Sequence, residues 1–188
     1  MTYGAAPPTW TGRDIGAVAI PGADAVNGST YAISASGADV WGTADAFHYV
    51  YRTLAVNGSI VARVSTLEAP NQWTKAGVMI RASIDPSSAH AFMLVSRDKG
   101  IAFQRRPTRG ADSVHTSGGS GVAPLWVRLT RAADVITGAY SSDGATWVDL
   151  GTDVIALGDA PALVGLAVTS HDDSALATAT FDNVAVQP

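Results

Sequence analysis

The sequence has no cysteine and only one glutamate among its 188 residues. Without cysteine there is no disulfide, no zinc–thiolate site and no cysteine nucleophile. Hydrolysis of a glycosidic bond usually needs two facing carboxylates, and Glu68 alone cannot supply a pair of glutamates. A pair of aspartates such as Asp39 and Asp45 could still act as the two catalytic carboxylates. Aspartates beside glycine and threonine are, however, more typical of turns.

Long apolar runs and clusters of positive charge are also lacking. No run approaches the ~18 apolar residues that predict a membrane span. The chain has 12 lysines and arginines against 16 aspartates and glutamates, which gives a net charge of −4. No basic run is long enough to follow a phosphate backbone. The composition therefore excludes a nucleic-acid partner, although the arginines concentrated in residues 81–131 predict a local positive patch.

Domain organisation follows from length and composition. Residues 1–9, with Pro7 and Pro8, are interpreted as a linker or tag remnant, and residues 10–188 as one domain. The N-terminal residues lack the basic and apolar regions of a signal peptide. Many small residues and few charges nevertheless favour a secreted bacterial module, which we expect to be monomeric.

What the sequence does have is a strand pattern throughout. Hydrophobic residues make up 47% of the chain, which is enough to build a core. No stretch has capped helical periodicity, whereas short runs rich in valine, isoleucine, threonine and aromatics recur between turn residues. The clearest predicted strands are 46–52, 59–65, 76–81, 90–96, 101–106, 125–131, 163–170 and 176–186.

Turn dipeptides separate these runs. Asn57-Gly58 and Asp143-Gly144 have the composition of tight hairpin turns, and reversals are also predicted at Asn27-Gly28 and at residues 98–100. Neighbouring strands should then be antiparallel, and about a dozen strands in one domain favour a two-sheet sandwich. The predicted fold class is therefore all-β.

Strand alternation sorts the side chains by face. The polar and aromatic side chains that point away from the core on neighbouring strands can gather on a single sheet face. There, guanidinium, imidazole and amide groups would bond sugar hydroxyls, and an indole would stack on a sugar ring. An ordinary solvated face is the alternative. The residues in this set are Arg81, His90, Gln104, Arg106, Trp126 and Arg128.

Three further residues are candidate ligand contacts. Trp41 and Trp73 lie at predicted strand or loop edges, where binding platforms are found. His171 follows a predicted strand and is either a ligand contact or a hydrogen-bonded loop residue. No two histidines have the spacing of a helical zinc site, and the Gly/Ser-rich stretch 118–121 lacks the setting of a nucleophile elbow.

Seven motifs, in order along nearly the whole chain, resemble the concanavalin A-like lectin/glucanase superfamily, and in particular bacterial modules appended to secreted glycan-active proteins. They are WTGRDIG (10–16), GADVWGTADAF (37–47), WTKAGVMIR (73–81), HAFM (90–93), AFQRR (102–106), WVRL (126–129) and TFDNV (180–184). The resemblance implies an antiparallel jelly-roll sandwich. It also implies a non-catalytic carbohydrate-binding module that tethers a catalytic or other extracellular domain to a polysaccharide or oligosaccharide.

The same resemblance implies a structural calcium. Related modules hold calcium through an aspartate in a C-terminal motif like TFDNV, which is Asp182 here, and Asp14 is its candidate partner. The alternative is that Asp182 only bonds neighbouring backbone.

Two other functions stay open. A jelly-roll polysaccharide lyase acting on a uronate-containing glycan would need arginine, histidine, glutamine and tyrosine, and Arg81, His90, Gln104 and Tyr51 are of these types. The Gln-Ile-His motif of such lyases is missing, because Gln104 is followed by two arginines. A purely structural or adhesive spacer domain is the other alternative.

Overall fold

A computed structural model describes residues 9–55, 57–158 and 160–188. The predicted linker, residues 1–9, lies outside the described residues except for Thr9. The described part of the chain contains sixteen strands and no helix, and therefore no helix that could cross a membrane. The strands are β1 Thr11–Ile15, β2 Ala23–Asn27, β3 Thr30–Ala35, β4 Val40–Trp41, β5 Ala44–Asp45, β6 Phe47–Leu54, β7 Asn57–Glu68, β8 Lys75–Arg81, β9 His90–Ser96, β10 Ile101–Arg106, β11 Val114–Ser117, β12 Leu125–Ala132, β13 Val135–Ser141, β14 Val148–Val154, β15 Ala162–Thr169 and β16 Ala177–Gln187.

Two antiparallel seven-stranded sheets form a jelly-roll sandwich, which confirms the predicted fold class. The front sheet has the order β1-β6-β15-β8-β9-β10-β11, and the back sheet has the order β14-β13-β12-β7-β16-β3-β2. A third, two-stranded sheet is the short pair β4–β5, which we call the cover hairpin.

The eight predicted strands all occur, as β6–β10, β12, β15 and β16. Reversals also occur where predicted at Asn27-Gly28, at residues 98–100 and at Asp143-Gly144, since each joins two paired strands. The hairpin predicted at Asn57-Gly58 is wrong. There the chain leaves β6 of the front sheet and enters β7 of the back sheet, so the two runs do not pair.

The main core lies between the sheets and follows the alternation of the strands. In β12, for example, Leu125, Val127 and Leu129 are buried while the residues between them are not. Strands β8 and β9 differ, because every residue in both is buried. These two strands are covered on both faces, and the covering of the outer face creates the site.

A second hydrophobic cluster covers that outer face. It is formed by Ile15, Val40, Phe47, Tyr49, Met79, Phe92, Leu94, Ala102 and Ala167. Val40 comes from the cover hairpin, which therefore packs on the front sheet as a lid over apolar side chains. The outer face of the front sheet is thus largely dry, unlike the usual solvated face of an antiparallel sheet.

Candidate functional site

Strand pairing gathers four of the predicted polar residues on the outer face of the front sheet. Arg81 lies opposite His90, which lies opposite Arg106, across three adjacent strands. Gln104 is two residues from Arg106 on β10 and shares its face. Trp126 and Arg128 do not join them, because β12 belongs to the back sheet.

The arginines and histidine of this row are not surface donors, which corrects the prediction. Arg81, His90 and Arg106 are each 0% exposed, because the cover hairpin places the carboxylate of Asp45 directly over them. Arg106 Nη2 lies 2.7 Å from Asp45 Oδ1, and Arg81 Nη1 lies 3.2 Å from Oδ2. They form an internal ion cluster that is closed to solvent.

This Asp45 cluster is stabilised by backbone carbonyls as well as by charge. Arg106 donates to the carbonyl oxygens of Gly42 and Ser88, and Arg81 donates to those of Ser83 and Asp85. Such bonds offset the cost of burying two cations beside one anion. Burial lowers the pKa of His90 to about 4 despite the nearby Asp45 carboxylate, so the ring is neutral at pH 7.

An open cleft of about 390 Å³ lies beside this cluster. Three parts of the chain meet there: the cover hairpin, the strand ends at Trp73 and His171, and the β10–β11 edge. Pairing of Thr169 with Lys75 brings those two strand ends together, and Thr74 Oγ1 donates to Ser170 O at 2.6 Å. The cleft is lined by Asp39, Trp41, Trp73, Lys75, Gln104, His115 and His171.

Aromatic rings form the walls of the cleft. The Lys75 ammonium lies 5.7 Å from the ring centroid of Trp41 and 6.0 Å from that of Trp73, so both indoles stand around the same polar floor. Trp41 is 40% exposed and meets His115 edge to face at 6.3 Å. His171 has a positive φ of 56°, an uncommon conformation for a residue other than glycine.

The floor is a chain of hydrogen bonds centred on Lys75. Its Nζ donates to Asp39 Oδ1 at 2.6 Å, to Val40 O at 3.1 Å and to Gln104 Oε1 at 3.0 Å. Gln104 Nε2 lies 3.1 Å from His115 Nδ1. Burial lowers the pKa of Lys75 while Asp39 opposes the shift, and the three acceptors around Nζ require the protonated amine.

Of the predicted ligand residues, the cleft contains Trp41, Trp73, Gln104 and His171. Sequence reasoning missed Asp39, Lys75 and His115 as ligand residues. Lys75 was missed because the strand was predicted to begin one residue later, and nothing in the pattern marks a lysine as buried. Trp126 packs instead on the back-sheet turn, where a side chain at Gly144 would approach its ring within 2.6 Å.

Asp14 and Asp182 do not fit a shared calcium site. Asp182 bonds Arg63 through both carboxylate oxygens, and this cation lowers the pKa of Asp182 to about 2. Asp14 Oδ1 instead lies 2.7 Å from Nδ1 of His48, and the other ring nitrogen of His48, Nε2, lies 3.1 Å from Asp24 Oδ1. The two carboxylates thus have separate protein partners, and the described residues contain no group of three or more metal-ligating side chains placed for an ion.

The structure does not bring together the residues proposed for a lyase. Arg81 and His90 are buried beneath Asp45. Tyr51 is level with Gln104 across the front sheet, but β9, β8 and β15 lie between their strands. Strands are spaced by about 4.8 Å, so the backbones of Tyr51 and Gln104 are roughly 19 Å apart. Asp45, the second member of the aspartate pair considered for hydrolysis, has a side chain that is 0% exposed.

No family model and no curated protein matches the sequence. Solved structures share the fold. A functionally unknown protein from Saccharomyces cerevisiae is 19% identical, with a TM-score of 0.72 over 96% of each chain.

Two other neighbours have stated functions. The carbohydrate-binding module CBM66 from Bacillus subtilis is 14% identical, with a TM-score of 0.57 over 95% of each chain. An alginate lyase from Klebsiella pneumoniae is 11% identical, with a TM-score of 0.54 over 87% of this chain and 83% of its own. Proteins with this fold therefore include both a glycan-binding module and a glycan-cleaving enzyme. The fold alone does not decide between the two functions, and the residues of the site have to be considered.

Proposed function

We propose that the chain is a non-catalytic carbohydrate-binding module whose ligand lies in the cleft between Trp41 and Trp73. The observation that carries the proposal is the combination of two indoles around a fixed polar floor, open to solvent. Indole faces stack on the C–H faces of sugar rings, while carboxylate, amide and imidazole groups bond hydroxyls. Such a combination suits a glycan better than a purely apolar ligand.

Binding, rather than cleavage, is favoured by what the cleft residues do. Asp39 is paired with Lys75, and the second aspartate considered for catalysis is buried against two arginines. We further propose that the module belongs to a secreted bacterial protein and tethers a neighbouring domain to its polysaccharide. The glycan-binding and glycan-cleaving neighbours of the same fold support this setting.

The test is affinity electrophoresis in gels that contain xylan, laminarin, galactomannan, inulin or alginate. We expect retardation by at least one polymer, and a loss of affinity of about tenfold or more in Trp41→Ala and in Trp73→Ala because each removes a stacking face. Trp147→Ala is the matched control, since Trp147 lies beside Arg128 of the back sheet, 4.2 Å from ring centroid to guanidinium carbon.

Three outcomes would count against the proposal. Retardation by no polymer contradicts glycan binding, and unchanged retardation of both cleft variants places the ligand elsewhere. A rise in ultraviolet absorbance from unsaturated uronate during incubation with alginate would favour the lyase alternative.

A further inference from the structure

Lys75 has no hydrogen left to offer a ligand. An ammonium group carries three N–H donors, and all three are used by Asp39 Oδ1, Val40 O and Gln104 Oε1. The side chain is 2% exposed, so its charge lies beneath the cleft surface. Lys75 therefore acts on a ligand through the groups that it holds in place.

The first of these groups is the Gln104–His115 pair. Lysine can only donate, so the Gln104 atom that faces Nζ is the carbonyl oxygen, and the amide nitrogen faces His115 Nδ1 at 3.1 Å. Because the amide nitrogen donates, Nδ1 must accept, and the ring proton of neutral His115 is on Nε2. Burial and the nearby Lys75 lower the pKa of His115, which favours the neutral ring. His115 thus presents an N–H donor at the cleft mouth.

The second group is the Asp39 carboxylate. Oδ1 accepts from Lys75 Nζ and from the backbone N–H of Val40 at 2.7 Å. Oδ2 lies 3.1 Å from His171 Nδ1, but the contact lacks hydrogen-bond geometry and that ring nitrogen has no other partner. Oδ2 therefore keeps accepting capacity on the cleft wall.

The positive charges that lie beneath the cleft floor do not reach the cleft surface. Arg81 and Arg106 are buried below it around the single carboxylate of Asp45, which leaves one positive charge unbalanced in the interior, and Lys75 is paired with Asp39. Lys99, whose ammonium lies 5.6 Å from the centroid of the Trp73 ring, is an exposed cation at the rim.

We propose that the cleft selects neutral, hydroxyl-rich sugar residues over uronates, and that Lys75 is the positioning residue that fixes Asp39 Oδ2 as acceptor and His115 as donor for sugar hydroxyls. The inference rests on the proposed glycan-binding function. A uronate carboxylate between the two indoles would meet the negative charge of Asp39, while the cations beneath the floor are buried and cannot contact it. A hydroxyl can donate to Oδ2 and accept from His115.

Selectivity is tested with charge-matched polymers. Laminarin and galactomannan are each compared with a derivative oxidised at C6 to the uronate, so that the backbone stays the same and only the C6 group changes, from hydroxymethyl to carboxylate. For the polymer that binds, we expect the oxidised form to bind about tenfold more weakly, with the difference shrinking at high salt. Equal or tighter binding of the oxidised form would overturn the proposal.

The positioning role is tested without any ligand. Nitrogen-15 NMR of the free protein should show His115 protonated at Nε2, and Lys75→Met should give a mixture of ring tautomers because the Gln104 amide is free to flip. Lys99→Met, which removes a cation near the same Trp73 ring, should leave the tautomer unchanged. If Lys75→Met fails to fold, Gln104→Met breaks the same chain of hydrogen bonds with Lys75 in place.

The two tests separate the possible failures. An unchanged His115 tautomer in the folded variants contradicts the positioning role, whatever binds. Equal binding of neutral and oxidised polymers contradicts only the selectivity. The expected tautomer together with no binding to any polymer contradicts the proposed function itself.

Discussion

At the scale of single residues, the neighbours of a buried polar group decide whether it is structural or can line a ligand site. Arg81 and Gln104 both lie on the outer face of the front sheet, yet Arg81 bonds Asp45 beneath the cover hairpin while Gln104 lines the cleft. The polar character that identifies such residues in a sequence is the same in both cases. Their different roles depend on a hairpin that is distant from both in the sequence.

The Asp45 carboxylate should contribute strongly to stability. Asp45→Asn leaves Arg81 and Arg106 buried without a counter-charge, and breaking a buried ion pair in this way typically costs about 3–5 kcal/mol. We expect urea denaturation to show a loss of that order. The matched control is Asp149→Asn, because Asp149 is 72% exposed and lies 3.7 Å from Arg128, so its loss should change stability by less than about 0.5 kcal/mol. A small effect at Asp45 would show that the cluster tolerates a neutral partner.

At the scale of elements, the cover hairpin and the residues that flank it contribute to the cleft, to the outer apolar cluster and to the ion cluster. Residues 37–46 provide Asp39 for the floor, Trp41 for the wall, Val40 for the apolar cluster and Asp45 for the ion cluster. Two glycines of this segment differ in their surroundings, Gly37 before the hairpin and Gly42 in its turn. Gly37 has φ of 121°, and a Cβ atom there would lie 2.1 Å from Ala46 O, whereas Gly42 has φ of 58° and open space around it.

These two glycines make a matched pair of variants. Gly42→Ala should cost only the strain of a left-handed conformation, about 1–2 kcal/mol, and should keep polysaccharide binding. Gly37→Ala adds a backbone clash, so we expect a larger loss of stability, more than about 2 kcal/mol, and weakened binding in the same gels. Equal behaviour of the two variants would show that the hairpin can shift without disturbing the site.

Element prediction succeeded where alternation and turn chemistry agree, and failed where a connection changes sheets. The predicted strands 90–96 and 101–106 have the observed bounds of β9 and β10. Asn57-Gly58 has hairpin composition, but it joins strands of different sheets. A dipeptide specifies a local turn and carries no information about which sheet receives the next strand.

At the scale of the whole molecule, the two sheets are joined at one edge by His48. This residue of the front sheet lies between Asp14 of the same sheet and Asp24 of the back sheet. Each ring nitrogen faces a carboxylate oxygen, so the three side chains close one side of the sandwich. Asp14, one of the two aspartates predicted from the sequence to hold calcium, is part of this contact.

Global stability should fall as the pH falls from about 6.5 to 4. His90 stays neutral in the folded protein down to its pKa of about 4, whereas in the unfolded chain it takes up a proton near pH 6.5. Over this interval the unfolded state binds more protons, so acidification favours unfolding by up to roughly 3 kcal/mol. Urea denaturation at several pH values should show this slope, and His90→Gln should reduce it.

The ion pair of Asp182 does not confound that measurement. Arg63 lowers the pKa of Asp182 to about 2, so the stability that Asp182 contributes is lost between its unfolded value near 3.8 and pH 2, below the interval of His90. If the parent and His90→Gln lose stability equally between pH 6.5 and 4, the histidine is not the cause.

The sequence by itself determined the all-β class, the main strands and the face of each side chain, because two-residue alternation and turn chemistry are local properties of the backbone. It also marked Trp41, Trp73, Gln104 and His171, which line one cleft. The tertiary structure alone decided that Asp45 buries Arg81, His90 and Arg106, and that Lys75 lies under the cleft. Those outcomes depend on where the cover hairpin packs, and that packing joins residues far apart in the chain.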